Sequence, residues 1–111
     1  MDIRAATSAD AVSLVALWQR CELIRPWNDP RLDIARVCAA SNADILVGTI
    51  DGRIVASVMV GHDGHRGWVY YVSVDPDHRG AQYGRNIMDA AEDWAFARGM
   101  PKVQLMVRAD N

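Results

Sequence analysis

The sequence predicts a mixed α/β domain, α+β in its layering, with helices flanking a mainly antiparallel sheet in the order βααβββαβ. Three observations carry that expectation. Apolar residues recur at helical spacing in three separate segments. Two β-rich runs are joined by Asp51-Gly52, a residue pair that favours a two-residue hairpin. A strand–loop–helix–strand unit closes the chain and supplies a parallel pair. With 111 residues and 12.3 kDa, the chain can build one domain over 1–111 with one core, and not two.

Each element has a local cause. Residues 2–5 read as a short first strand. Thr7 or Ser8 then caps a helix, with Asp10 placed for a capping box, and Leu14, Leu17, Trp18 and Cys21 fall on one face of that helix. Pro26 and Pro30 break the chain, and Asp29 as N-cap with Pro30 at the first helical position starts a second helix. Ile34, Val37 and Cys38 form its apolar stripe. Strands over 44–50 and 53–62 flank the Asp51-Gly52 turn, and a second turn over 63–67 leads into a strand over 68–74. Pro76 ends that strand, because proline cannot donate to a ladder. A helix over 84–98 buries Ile87, Ala91, Trp94 and Ala95, and Gly99 supplies its left-handed cap. A final strand spans 102–107.

Composition narrows the function classes. Half the residues are apolar and 23% are charged, as in an ordinary globular protein. Twelve basic against fourteen acidic residues leave a net charge of -2, which disfavours nucleic acid as the main ligand. No apolar run reaches the length of a membrane span, and Met1 leads directly into Asp2, Arg4 and Asp10, unlike a signal or transit peptide. A cytoplasmic protein without membrane partners is expected. Cys21 and Cys38 lack any CxxC pattern and are expected to be reduced, buried helix residues.

The stretch from Val72 to Arg85 carries the chemistry. A strand (Val72, Ser73, Val74) runs through Asp75-Pro76 into the loop Arg79-Gly80-Ala81-Gln82, which opens at Tyr83-Gly84-Arg85 into the long helix. The first turn of a helix has unpaired backbone N–H groups and a partial positive charge. Gly80 and Gly84 allow close approach to the backbone, and Arg79 and Arg85 add fixed positive charge. The arrangement reads as an anion cradle suited to a pyrophosphate, or as a glycine-containing turn with solvated arginines. A Walker A loop is excluded, since Lys102 is the only lysine, and there is no GxGxxG run.

This stretch resembles the acyl-CoA-binding motif of the GNAT superfamily of acetyltransferases: Gln or Arg, two residues, Gly, one residue, then Gly or Ala. Arg79 matches the first position and Gly84 the last, after a strand ending in Val74-Asp75-Pro76; the central glycine is replaced by Gln82. The order of elements is similar to that fold over essentially the whole chain. The segments 23–30 and 61–67 further resemble a branch of small bacterial members.

The resemblance implies transfer of an acetyl group from acetyl-CoA, as co-substrate, to an amine of a small molecule or protein, by direct attack. It implies that the backbone of Val72, Ser73 and Val74 holds the pantetheine arm, that an N–H around Val72 stabilises the thioester oxygen, and that Asn111 matches a cofactor-binding asparagine. It also places Trp27 and Asn28, between the first two helices, beside the acceptor amine; packing of Trp27 into the core is the competing reading. A glutamate base found in some members is replaced by Trp68. Asp63 and His65, with His62, are the nearby candidates for proton removal, against a solvated turn. No metal is expected, because these residues lack a third ligand at sensible spacing.

The family normally continues past Asn111 with a helix, bearing a tyrosine, and two strands. The expected chain therefore lacks that part of the fold, with its last strand as an edge. A homodimer covering this strand, or a truncated chain, is the expectation. The alternative function is a non-catalytic acyl-CoA-binding or dimerisation module.

Overall fold

A computed structural model of the protein describes residues 1–101 and 103–105. The elements are β1 (Asp2–Ala5), α1 (Ala11–Arg20), α2 (Pro30–Ala39), β2 (Ala43–Ile50), β3 (Arg53–His62), β4 (Gly67–Val74), α3 (Tyr83–Ala97) and β5 (Val103–Leu105). Short 3-10 turns at Ser8–Asp10 and Pro76–His78 precede α1 and follow β4. The five strands lie in sequence order, antiparallel from β1 to β4, with β5 parallel to β4 at the edge. The expected order of elements is the observed one.

Local chemistry accounts for most boundaries. The Asp29 carboxylate accepts from the backbone N–H groups of Arg31 (3.1 Å) and Leu32 (3.2 Å), so α2 starts where its cap and proline place it. Asp51 and Gly52 both have positive φ (52° and 78°), the geometry of a type I′ hairpin turn. Before α1, the Asp10 carboxylate accepts from the Thr7 N–H at 2.8 Å and from two Arg4 nitrogens at 2.9 Å each. That paired geometry holds the Asp10 carboxyl down at about 2, chiefly through the Arg4 hydrogen bond.

The sheet separates two apolar clusters. On one face, Val58, Val60, Leu46 and Val69 pack against Ile87, Ala91 and Trp94 of α3. On the other, Ile45, Val47 and Met59 pack against Leu14, Leu17 and Trp18 of α1 and Ile34 of α2. Two expectations need correction. Cys38 is exposed: it shares the Ile34 face at i+4 but lies in the last turn of α2, which buries only Ile34 fully; Cys21 is half-buried, and both thiols are free. Of the expected final strand, Val103–Leu105 is observed, while residues 102 and 106–107 lie outside the described residues.

Candidate functional site

The loop after β4 is built on a buried carboxylate. Asp75 is 4% exposed and accepts from Arg20 at 2.5 and 2.8 Å and from the Asp77 N–H at 2.9 Å. Burial alone raises a carboxyl's pKa, but the Asp77 N–H, Arg20 and His78 outweigh it and the Asp75 carboxyl sits below its ordinary range. Asp75 thus ties the end of α1 to the turn that leads toward α3.

Beyond that turn the chain makes two left-handed steps, at Gly80 (φ 89°) and Gln82 (φ 63°, ψ 19°). The second explains the motif's usual glycine: the N-cap of α3 needs a conformation that costs a side chain about 1 kcal/mol. Gln82 adopts it, and its side chain makes no capping hydrogen bond. The first i→i−4 bond of the helix runs from the Asn86 N–H to the Gln82 carbonyl at 3.0 Å. The N–H groups of Tyr83, Gly84 and Arg85 therefore precede the intrahelical ladder. Unlike α2, this helix starts without a side-chain cap.

These groups open onto a cleft of about 610 Å³ between the end of β4, the end of α1 and the start of α3. Its wall includes Val72, Ser73 and Val74 from β4, then Arg79, Gly80 and Gln82 from the loop, and Tyr83, Gly84 and Arg85 from α3. Every expected cofactor residue but two thus meets at one place. Ala81 is exposed and outside the lining, and Asn111 lies outside the described residues. Cys21, Leu23 and His78 complete the wall; from sequence, His78 reads as a loop residue preceding the cradle and within reach of a phosphate, while Cys21 and Leu23 give no sign of a place in the cleft. Helical spacing assigns Cys21 to the core because it continues the Leu14–Leu17–Trp18 face. Its Sγ donates to the Val74 carbonyl at 3.3 Å, and burial keeps the thiol's pKa raised despite the neighbouring Arg79 guanidinium. It is therefore a neutral thiol and a poor nucleophile. The His78 Nδ1 is shielded from solvent, 3.9 Å from Asp75 Oδ1, with no hydrogen-bond partner among the described residues.

Within β4 the strand is irregular where it meets the cleft. Ser57 pairs with Ser73 and Met59 with Tyr70, so Val58 alone faces Tyr71 and Val72. This bulge holds Tyr71 at φ 51°, a strained conformation for an aromatic residue. The Tyr71 ring stacks on Trp18 with centroids 3.9 Å apart, and its hydroxyl donates to Asp33 at 2.8 Å.

The other expected residues lie elsewhere. Asp63 and His65 sit in the β3–β4 turn, at the far end of β4 from the cradle, and neither lines the cleft. The Asp63 carboxylate accepts from the N–H groups of His65 (2.9 Å) and Arg66 (2.8 Å), with Arg66 the larger cause of its lowered pKa. That carboxylate shapes the turn and is a weak base. Trp27 is 70% exposed, which overturns the core-packing alternative; it and half-buried Asn28 lie on the α1–α2 loop outside the cleft lining. Among the described residues, no three His, Cys, Asp or Glu side chains gather as metal ligands, and no helix is long and apolar enough to cross a membrane.

Comparison with known proteins points to one family. The family model described as "Acetyltransferase (GNAT) family" matches residues 12–111. An acetyltransferase of Pectobacterium atrosepticum is 46% identical over 111 residues, which are 100% of this chain and 79% of the relative. Among solved structures, an aminoglycoside 6′-N-acetyltransferase from Acinetobacter haemolyticus superposes with a TM-score of 0.82 at 18% identity, covering 100% of this chain and 82% of that one. A predicted acetyltransferase of Clostridium acetobutylicum solved with acetyl-CoA gives 0.78 at 17% identity, covering 97% and 81%.

Proposed function

Because the chain belongs to the GNAT family of acetyltransferases, we propose that its cleft binds acetyl-CoA and passes the acetyl group to an amine of a small molecule or protein. The observation that carries the reading is the uncapped N-terminus of α3, whose first N–H groups open into the cleft between Gly80, Gly84, Arg79 and Arg85. Such donors favour a pyrophosphate over any neutral ligand. The residues fit that group. A Cβ on Gly80 would meet nothing within 4 Å, and one on Gly84 would meet only Val74 Cγ2 at 3.5 Å, so open space lies over both. The Clostridium structure solved with acetyl-CoA supports the same choice of donor.

The chain's own groups divide the work. Arg79, also tied to the Val74 carbonyl through Nε at 3.3 Å, and Arg85 supply charge to the phosphates. The backbone of Val72 and Val74 borders the cleft as a strand edge to which an extended arm can add. The Ser73 hydroxyl is turned inward to Ser57, so only its backbone serves the cleft. At the bulge, Val72 is the backbone position suited to stabilise charge developing on the thioester oxygen. Acetyl-CoA supplies an activated acyl group: the amine nitrogen forms the C–N bond as the C–S bond breaks, and the nitrogen's proton ends on the released thiol. With Cys21 held neutral, direct attack by the amine is favoured over an acyl-cysteine intermediate.

The test pairs calorimetry with turnover. Coenzyme A is titrated into the pure chain, and acetyl-CoA is incubated with a panel of amines while free thiol is followed. Binding together with amine-dependent thiol release supports the proposal. Binding without release favours a non-catalytic acyl-CoA module, and neither binding nor release overturns both.

A further inference from the structure

Three groups meet around one hydroxyl beneath the β4 bulge. Ser57 is fully buried, and its Oγ lies 2.9 Å from Trp18 Nε1, 2.8 Å from the Tyr71 carbonyl and 2.7 Å from Ser73 Oγ. The direction of every bond follows from the atoms. The Trp18 indole can only donate and the Tyr71 carbonyl can only accept. Ser57 has one hydrogen, which goes to the Tyr71 carbonyl, so the Ser73 hydroxyl must donate to Ser57. Ser57 is thereby saturated, accepting twice and donating once, in a site closed to water. A buried network with all its members satisfied has a single arrangement, because any other leaves a polar group unpaired.

The carbonyl it holds belongs to the left-handed residue of the bulge. Tyr71 is fixed from two sides, by its ring on Trp18 and its hydroxyl on Asp33, and its backbone is fixed by Ser57. The next peptide N–H along the chain is that of Val72, which lines the cleft. The Tyr71 carbonyl and the Val72 N–H are two ends of one planar peptide unit. Fixing the oxygen fixes the direction of the hydrogen.

We infer that Ser57 is a positioning residue for acetyl transfer: by holding the Tyr71 carbonyl it aims the Val72 N–H at the thioester oxygen. Ser57 touches neither substrate; it acts through one peptide plane. The inference rests on the acetyl-transfer reading of the cleft, and one set of measurements separates the two.

Acetyl-CoA and coenzyme A are compared as probes on isotope-labelled protein, following the Val72 amide by NMR, alongside kcat and KM with the most active amine. In the unmodified chain the Val72 amide shifts further with acetyl-CoA than with coenzyme A. In Ser57→Ala that acetyl-specific difference disappears and kcat falls about ten- to hundredfold, less than the roughly hundred- to thousandfold for losing an oxyanion donor outright, because the donor is misaimed and not removed. Coenzyme A affinity stays within about twofold, since the Gly80–Arg85 cradle is untouched, and Ser57→Thr, which keeps the hydroxyl, recovers kcat. Val60→Ala, a fully buried β3 position facing α3, controls for stability. If Ser57→Ala keeps the acetyl-specific shift and its kcat, or if an equally destabilised Val60→Ala loses kcat as much, the positioning role is overturned and acetyl transfer stands. If the unmodified chain shows neither the shift nor turnover, both are overturned.

Discussion

Replacing Gly84 by alanine separates what the fold needs from what the ligand needs. Gly84 is the second residue of α3, has no positive φ, and would place a Cβ 3.5 Å from Val74 Cγ2, an ordinary contact. The fold therefore gains from alanine: exchanging glycine for alanine in a helix is worth up to about 1 kcal/mol, and near the end of one about 0.5 kcal/mol. For a domain of this size that raises Tm by about 2–3 °C. The new methyl occupies the space over the first-turn N–H groups. Pushing a phosphate back from a charge-assisted hydrogen bond costs about 2 kcal/mol, or roughly thirtyfold in affinity for coenzyme A. Gly80→Ala gives the opposite stability sign, since φ 89° strains any side chain by about 1 kcal/mol although nothing blocks it. Thermal melts and calorimetric titration read both quantities. A Gly84→Ala variant that binds coenzyme A as tightly as the unmodified chain refutes the cradle.

Arg85→Ala is expected to weaken coenzyme A binding by about 1 kcal/mol, roughly fivefold, with a shallower salt dependence in titrations at several ionic strengths. Asp10→Asn removes a carboxylate whose folded pKa, about 2, lies below its unfolded value near 3.8. Its stabilisation is complete above the unfolded value and fades as pH falls through the folded one. Urea unfolding should show a loss of about 1 kcal/mol at pH 7, discounted for the exposed Arg4, that vanishes near pH 2. Leu14→Ala, at a fully buried position, should cost about 2–5 kcal/mol in the same assay.

What was legible in the sequence is what neighbours along the chain decide. Asp29-Pro30 and Asp51-Gly52 set a helix start and a hairpin without help from distant residues, and the Arg79–Arg85 loop was legible as a cradle because its glycines and arginines lie within one turn of the helix start. The bulge was not. Nothing around Tyr71 asks for a positive φ; that conformation is held by Ser57, fourteen positions away, and by Trp18 on another element. Trp18 itself showed only as an apolar stripe member, and its N–H gives no periodic signal. The exposure of Cys38 was equally hidden, since helical spacing marks a face but does not say how much of that face meets the sheet. Asp63 and His65 drew notice by residue type, while the turn that consumes the Asp63 carboxylate depends on the backbone path between two strands.

The β-sheet also partitions the core into two apolar halves. The proposed cofactor-side helix, α3, packs on one face, and α1 and α2, which lead into the Trp27 loop, pack on the other, with no buried residue shared between the two clusters. Substitutions more than about 7–10 Å apart with no shared partner add nearly independently. Under the proposed function, the Trp27 loop can therefore change with little effect on the Gly80–Arg85 cradle. Among the described residues the halves are tied together by the Arg20 ion pairs to Asp75 and Asp77, by the Cys21 thiol donated to the Val74 carbonyl, and by the peptide held by Ser57. A change of specificity on this scaffold is therefore expected to leave those contacts in place.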